Sequence, residues 1–274
     1  SFFLTKKLAG IVYGQPMNIL IWLPAEKVPV LFAFLCVAAA LFGVFLLKRR
    51  GKSFKIRTLP GALAIEEAIG RATEMGKPVF FTSGTGEIDR MATLAALSVL
   101  GEVAFKTAQY GTPLFYPNND PVVASVAQEV ASEAASKAGH PEAYKPENVF
   151  FVTKSQFGYT AHASGLMERI KPAATLYFGT FEGESLILAE TGFAQGAIQI
   201  AATDSTIQMA FFLVACDYTL IGEELFAAGG TLSGDQEVLS SIAAQDWLKA
   251  AVIFLLLIGA LLATFTAFDL GSHL

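Results

Sequence analysis

Two long apolar runs bracket the chain and constrain its fold more than any other feature. The first, residues 28–47, reads VPVLFAFLCVAAALFGVFLL, twenty residues without a charge. As a helix rising about 1.5 Å per residue it would cross the roughly 30 Å hydrocarbon core of a bilayer. The second, residues 250–268, reads AAVIFLLLIGALLATFTAF and is also uncharged. We therefore expect two transmembrane helices.

The composition agrees with a chain that meets both lipid and water. Hydrophobic residues make up 53% and charged residues only 16%, with a mean hydropathy of +0.51, which is more apolar than one globular core requires. The 24 acidic and 19 basic residues still provide a water-facing surface. The net charge of -5 argues against nucleic-acid binding, which needs a clustered basic face. Cys36 and Cys216 both lie in apolar stretches and are expected to be free and buried.

The charges beside the two spans predict their orientation. The stretch KRRGKSFKIR, residues 48–57, carries six Lys and Arg directly after the first span. Because such clusters stay on the cytoplasmic side, the domain between the spans should be cytoplasmic. The tail after the second span, residues 269–274, has no Lys or Arg. Both termini are therefore expected outside.

The rest of the chain divides around these spans. Residues 1–27 are apolar but interrupted by charges, glycine and proline, and we interpret them as an interfacial segment on the outer leaflet or a partner. The remaining predicted parts are a basic linker at 48–59, an α/β domain at 60–235 and a connecting helix at 236–249.

Helix-type and strand-type patterns alternate through the α/β domain. Five short apolar strands are predicted near residues 78–82, 114–116, 149–153, 175–178 and 198–202, with Asp120 and Pro121 opening one of the intervening helices. Continuously apolar strands separated by helices predict a doubly wound, mainly parallel, Rossmann-like sheet of five or six strands. For residues 209–221 we favour a sixth strand at about 211–217, followed by a helix at about 222–228. A re-entrant membrane segment is the alternative.

Ligands of such sheets bind beyond the carboxyl ends of the strands. The loops expected there are rich in hydroxyl, amide and acidic side chains, and they supply a candidate ligand-binding rim: Ser83, Gly84, Thr85, Gly86, Glu87, Asn118, Asn119, Lys154, Glu182 and Asp204. The alternative interpretation is that these residue types are ordinary helix caps. The charged residues in and beside these loops are mostly acidic, with Glu87, Asp89, Asp120, Glu182, Glu184 and Asp204 against Lys154 and Arg90. Such a rim would favour a cation, an amine or a basic patch of a partner.

The sequence contains none of the common phosphate-binding, catalytic or metal-binding motifs that we considered. The loop SGTGE lacks both the G-x-x-x-x-G-K-[ST] and the full G-x-G-x-x-G phosphate motifs, and Glu87 and Asp89 would repel a phosphate at the following helix. No nucleophile elbow, H-E-x-x-H or C-x-x-C-H motif occurs in the sequence. We therefore predict no metal site, and the sequence identifies neither catalytic residues nor a cofactor.

Two blocks of sequence carry a family resemblance. They are VFFTSGTGEIDRMATLAALSVLGEVA, residues 79–104, and FFLVACDYTLIGEELFAAGGTLSG, residues 211–234. These blocks resemble an uncharacterised family of prokaryotic membrane proteins grouped under a domain of unknown function, over residues 60–240. The resemblance implies a protein of the inner membrane of a bacterium or archaeon and transfers no activity.

Two functions remain open from the sequence. The first is a membrane-anchored scaffold or accessory subunit of a larger homo- or hetero-oligomeric assembly, in which the small residues at 38–40 and 259–260 would allow close helix packing. The second is a membrane-bound ligand-binding or hydrolytic enzyme that uses the polar rim.

Overall fold

The computed structural model describes residues 60–234 and four short helical pieces at 245–246, 249–250, 252–253 and 256–257. The chain divides into two units, Phe54–Ile242 and a second unit of Ser1–Ser53 with Ala243–Leu274. Several predicted parts lie wholly or mostly outside the described residues, namely 1–27, 28–47, 48–59, 236–249, 250–268 and 269–274.

The described α/β domain is built on one parallel sheet. Its strands are β1 Val79–Gly84, β2 Leu114–Asn118, β3 Val149–Phe151, β4 Ala174–Thr180, β5 Ile198–Thr203 and β6 Tyr218–Ile221. They are arranged in the order β3-β2-β1-β4-β5-β6, and every pairing is parallel. The prediction of a doubly wound Rossmann-like sheet is confirmed, with six strands.

Helices cover both faces of this sheet. They are α1 Pro60–Glu74, α2 Met91–Tyr110, α3 Pro121–Lys137, α4 Gln156–Ile170, α5 Glu184–Ala194, α6 Thr206–Ala215 and α7 Glu224–Ser233. Two short 3₁₀ turns, Pro141–Ala143 and Pro146–Asn148, precede β3. One core lies under α1, α2, α3 and α7, and a second lies under α4, α5 and α6.

Each central strand contributes side chains to both cores, because successive side chains of a strand point to opposite faces of the sheet. In β1, Phe80 belongs to the α4–α6 core and Phe81 to the other. In β4, Tyr177 and Phe178 divide in the same way. This explains why the strands read as continuous apolar runs: both faces are buried.

The predicted strand at 211–217 is wrong. Residues 206–215 form α6, with Ser205 as the N-cap, and the sixth strand is β6, which begins at Tyr218. The following helix is also longer than predicted and runs through Gly229. A Cβ at Gly229 would contact the Ser98 side chain, so this glycine lets α7 approach α2 rather than ending the helix.

Among the described residues, α2 alone has the length and apolar composition of a membrane span. More than half of that stretch is buried inside the domain, where α2 packs against α3, α7 and β4. Its apolar character is accounted for by its central place in the core.

Candidate functional site

The fold brings the predicted rim to one edge of the sheet. The first loop, after β1, holds Thr85, Gly86 and Glu87, and Lys154, Glu182 and Asp204 follow β3, β4 and β5. Ser83 and Gly84 end β1, Asn118 ends β2, and Asn119 comes next. Because the chain runs outward from β1 on one side and from β4 on the other, the topological switch point lies between β1 and β4. A fold of this type binds ligands in the crevice at this point.

A closed hydrogen-bond network joins the ends of β1 and β2. The Tyr116 hydroxyl lies 2.6 Å from Ser83 Oγ, and Asn118 Nδ2 donates to Ser83 Oγ at 2.7 Å and to the Tyr116 oxygen at 3.0 Å. All three side chains are buried. Burial raises the pKa of Tyr116 well above its usual value, so the phenol stays neutral. This network ties the strand ends together and offers no ionised group.

The second cluster is centred on Asp120, the N-cap of α3. Its Oδ1 accepts the backbone N–H groups of Val122 and Val123 at 2.8 and 2.9 Å, and its Oδ2 accepts Lys154 Nζ at 2.6 Å. Lys154 also reaches Glu87 Oε1 at 3.4 Å. Burial alone would raise the pKa of Asp120, but the hydrogen bonds from Lys154 and the two N–H groups hold it below its ordinary value. The only cation of the predicted rim is therefore engaged in a helix cap.

Replacing Asp120 with alanine should destabilise the domain by about 0.5–2 kcal/mol at neutral pH, the usual effect of losing a helix cap. Because its folded pKa is depressed, the carboxylate stabilises fully above its ordinary pKa of 3.8, and this contribution is lost as the pH falls through the folded value. Thermal unfolding of wild type and Asp120→Ala at pH 7 and pH 3 measures this difference.

Ser205→Ala provides the control, because Ser205 caps α6 with a neutral hydroxyl. Its Oγ accepts a hydrogen bond from the Gln208 N–H at 3.4 Å. Its effect on the unfolding temperature should not depend on pH. An Asp120→Ala difference that stays constant down to pH 3 would contradict the assigned role of the carboxylate.

The switch-point crevice is filled by the chain's own groups. Glu184, in the first turn of α5, is buried, and its carboxylate accepts Thr85 Oγ1 at 3.0 Å, Gln156 Nε2 at 2.6 Å and the N–H of Glu182 at 3.0 Å. Three hydrogen-bond donors and the N-terminal end of the α5 dipole stabilise the carboxyl group at this buried position. The carboxylate occupies the position in which a ligand's anionic group would be expected.

Backbone contacts close the same crevice. Thr85 N donates to Thr180 O at 3.0 Å, joining the β1 loop to the end of β4. A Cβ at Gly86 would contact the side chains of Thr93 and Thr180, so the β1 loop rests directly on α2 and β4. Glycine at this position allows the close approach.

Some polar groups at the edge are not engaged by described residues. Thr93 Oγ1, in the first turn of α2, is buried without a hydrogen-bond partner. The N-cap of α2 is Arg90, which makes no side-chain cap and is exposed. Within the described residues no group of three or more His, Cys, Asp or Glu could hold a metal ion.

Sequence reasoning missed the residues that close the crevice. Neither the inward-facing position of Glu184 nor its hydrogen bond from Gln156 was predicted. A signal existed for Glu184, because a glutamate in the first turn of a predicted helix is a frequent partner of helix N-terminal donors. For Gln156 the local pattern gives no such signal, because its partner Glu184 lies 28 residues further along the chain.

Cys216, at the end of α6, should be unreactive in the folded chain. Burial, and to a lesser extent the neighbouring Asp217 carboxylate, raise the pKa of its thiol to about 12, so almost no thiolate exists near pH 8. In a Cys36→Ser background, iodoacetamide should alkylate Cys216 at least about 100-fold more slowly in the native protein than in guanidinium. Cys216 is half-buried, not fully buried as predicted. Equal rates, measured by mass spectrometry, would contradict the raised pKa of its thiol.

Together these features define a Rossmann-like α/β domain whose switch-point crevice is closed by internal hydrogen bonds. The chain belongs to the family described as a domain of unknown function, DUF6754, whose sequence model matches residues 20–273. The predicted resemblance to an uncharacterised family is confirmed, over a longer stretch than residues 60–240. No curated protein matches the chain, and neither does any solved structure.

Proposed function

We propose that the protein is a membrane-anchored α/β scaffold, or accessory subunit, of a larger membrane assembly. The observation that carries this proposal is the filled switch-point crevice. Where a ligand-binding fold of this type leaves room for a substrate, this chain places the Glu184 carboxylate, which accepts hydrogen bonds from three donors of the domain itself.

The other predicted rim residues support the same conclusion. Ser83 and Asn118 bond to each other, Asn119 Nδ2 donates to Thr153 O at 3.1 Å, and Lys154 bonds to Asp120. Most of the polar edge therefore joins strand ends and caps helices. Such a domain is well suited to present a rigid surface.

Membrane anchoring is supported by the sequence and by the few described residues near the second predicted span. The family match of residues 20–273 includes both predicted spans. Four large apolar side chains on helical pieces of the second span, Val252, Ile253, Leu256 and Leu257, are at least half exposed, as lipid-facing side chains would be in the absence of a membrane. The basic residues after position 47 favour a cytoplasmic α/β domain.

Three measurements on the full chain in native membranes test the proposal. Anchoring predicts that the chain stays in the membrane pellet after an alkaline carbonate wash, and that protease reaches the α/β domain only in inverted vesicles. Membership of an assembly predicts a native mass larger than the protomer in mild detergent. A chain released by the wash, or a strict monomer, would contradict it.

A ligand-binding function is the second candidate, because Thr93 Oγ1 is buried at the start of α2 without a hydrogen-bond partner among the described residues. A helix start without a side-chain cap can bind an anion. Arg90 adds positive charge there, and Glu87 and Asp89 oppose it. A thermal-shift comparison of phosphate, nucleotides, metal ions and amines tests it, with Thr93→Val as the matched variant. Stabilisation that Thr93→Val abolishes supports this candidate, and no stabilisation of the wild type removes it.

A further inference from the structure

The outer surface of α5 and α6 is apolar and uncovered in the described structure. On α6, Ile207, Phe211, Leu213 and Val214 are exposed, Val214 by 90%, while only Met209 and Phe212 of this helix are buried. On α5, Leu186, Ile187 and Phe193 are exposed. We call these seven exposed side chains the α5–α6 face. A helix that is apolar on all sides is normally covered on all sides.

The face is held rigidly from behind. Phe212 stacks on Tyr177 with ring centroids 5.6 Å apart and meets Phe181 edge-on at 5.1 Å. Ser185 Oγ donates to Gln208 Oε1 at 2.6 Å, joining the first turns of the two helices. The face is therefore a preformed surface, since its inward side chains are fixed in the core.

Among the described residues, the charges on α5 and α6 and at their ends are all acidic. Between Lys171 and Lys249 the sequence contains no Lys or Arg. The exposed charges beside the face are Glu182 before α5, Glu190 on α5 and Asp204 before α6. Nearby basic residues belong to other elements: Arg169 and Lys171 end α4 on the far side of α5, and Arg71 of α1 lines a groove with Asp217 and Tyr218 on the opposite sheet face.

We propose that the α5–α6 face docks a cationic amphipathic helix of a partner protein. The partner's apolar stripe would lie on the face, and its Lys or Arg residues would lie beside the acidic residues of α5 and α6. This inference rests on the proposed function and names the chemistry of the partner. The acidic residues beside the face favour a cationic helix over the other possible occupants. A second copy of the chain would bring acid against acid, and anionic lipid headgroups would be repelled in the same way.

The test uses the full chain in zwitterionic lipid nanodiscs and two synthetic helical peptides, one of leucine and lysine and one of leucine and glutamate. Fluorescence anisotropy, corrected with empty nanodiscs, measures binding. The cationic peptide should bind, with an affinity that falls as salt is raised, and the acidic peptide should not. Leu213→Glu should weaken the binding of the cationic peptide at least about tenfold. Glu190→Lys should weaken its binding about threefold.

Leu63→Glu is the matched control, because Leu63 on α1 is 57% exposed and Leu213 is 52% exposed. It should leave binding unchanged, and circular dichroism should show all three variants folded. Equal binding of both peptides, or equal effects of the two leucine variants, overturns the proposal.

Two further results would also overturn the proposal, because they would show a different occupant of the face. They are a dimer that Leu213→Glu dissociates and a capture of anionic vesicles that depends on Leu213. Failure of the proposed function is separate, because it would be seen as a strict monomer from native membranes whatever the peptides do. A larger native assembly without peptide discrimination rejects only the docking face.

Discussion

Gly179→Ala is expected to destabilise the α/β domain by about 2–6 kcal/mol, the sum of backbone strain of about 1–3 kcal/mol and overpacking of about 1–3 kcal/mol. Gly179 has φ +139°, a conformation that L side chains rarely adopt. A Cβ there would press on the Ser83 carbonyl oxygen and lie 3.0 Å from its carbonyl carbon. Because the obstacle is the backbone of the adjacent strand, no rotamer change relieves it.

The position of Gly179 explains this sensitivity. It lies where the β1–β4 register shifts, since Thr82 pairs with Tyr177 but Gly84 pairs with Thr180. One extra residue of β4 is thus accommodated at the centre of the sheet, beside the switch point. Denaturant unfolding of the full chain, followed by near-UV circular dichroism, measures the loss.

Gly165→Ala is the control for the Gly179 substitution. Gly165 lies inside α4, and a Cβ there would meet nothing within 4 Å. Alanine should stabilise this helix by roughly 0.5–1 kcal/mol, because glycine is costly in a helix interior. If Gly179→Ala were as well tolerated as Gly165→Ala, the tight crossing of β1 and β4 would be disproved.

Local patterns were sufficient to predict most of the sheet. The first five strands are apolar runs bounded by glycine, proline or polar residues, and the Asp120–Pro121 pair marks the start of α3 as observed. The failure at residues 209–221 has a physical cause. With apolar side chains on both the buried and exposed sides, α6 has no 3.6-residue pattern to distinguish it from a strand. The run length and the Ser205 cap were the available signals.

The site was predictable in place but not in detail. Parallel topology alone brings the ends of β1 to β5 to one edge, so loop residues such as Thr85 and Glu182 could be assigned there. Which of them touch depends on strand register and on the bulge at Gly179, and both are set by contacts far apart in sequence. That is why the inward turn of Glu184 and its bond to Gln156 were not foreseen.

Glu184→Ala is expected to destabilise the domain by about 2–4 kcal/mol, because it leaves buried donors without an acceptor and creates a cavity. The donors concerned are Thr85 Oγ1, Gln156 Nε2 and the Glu182 N–H, each within 3.0 Å of the carboxylate. Glu184→Gln should be intermediate, since its amide retains one acceptor oxygen but places an NH₂ group among donors. Thermal unfolding of the full chain measures both.

The Glu184→Ala variant also tests what the crevice does. If it is an anion site filled by the chain, millimolar formate or acetate should restore part of the unfolding temperature of Glu184→Ala. The same salts should not stabilise the wild type or Glu184→Gln, in which a side chain still fills the space. Under the scaffold proposal, Glu184→Ala keeps its native assembly mass despite its lower stability. Equal stabilisation of all three proteins by formate would show that the crevice is not closed by Glu184.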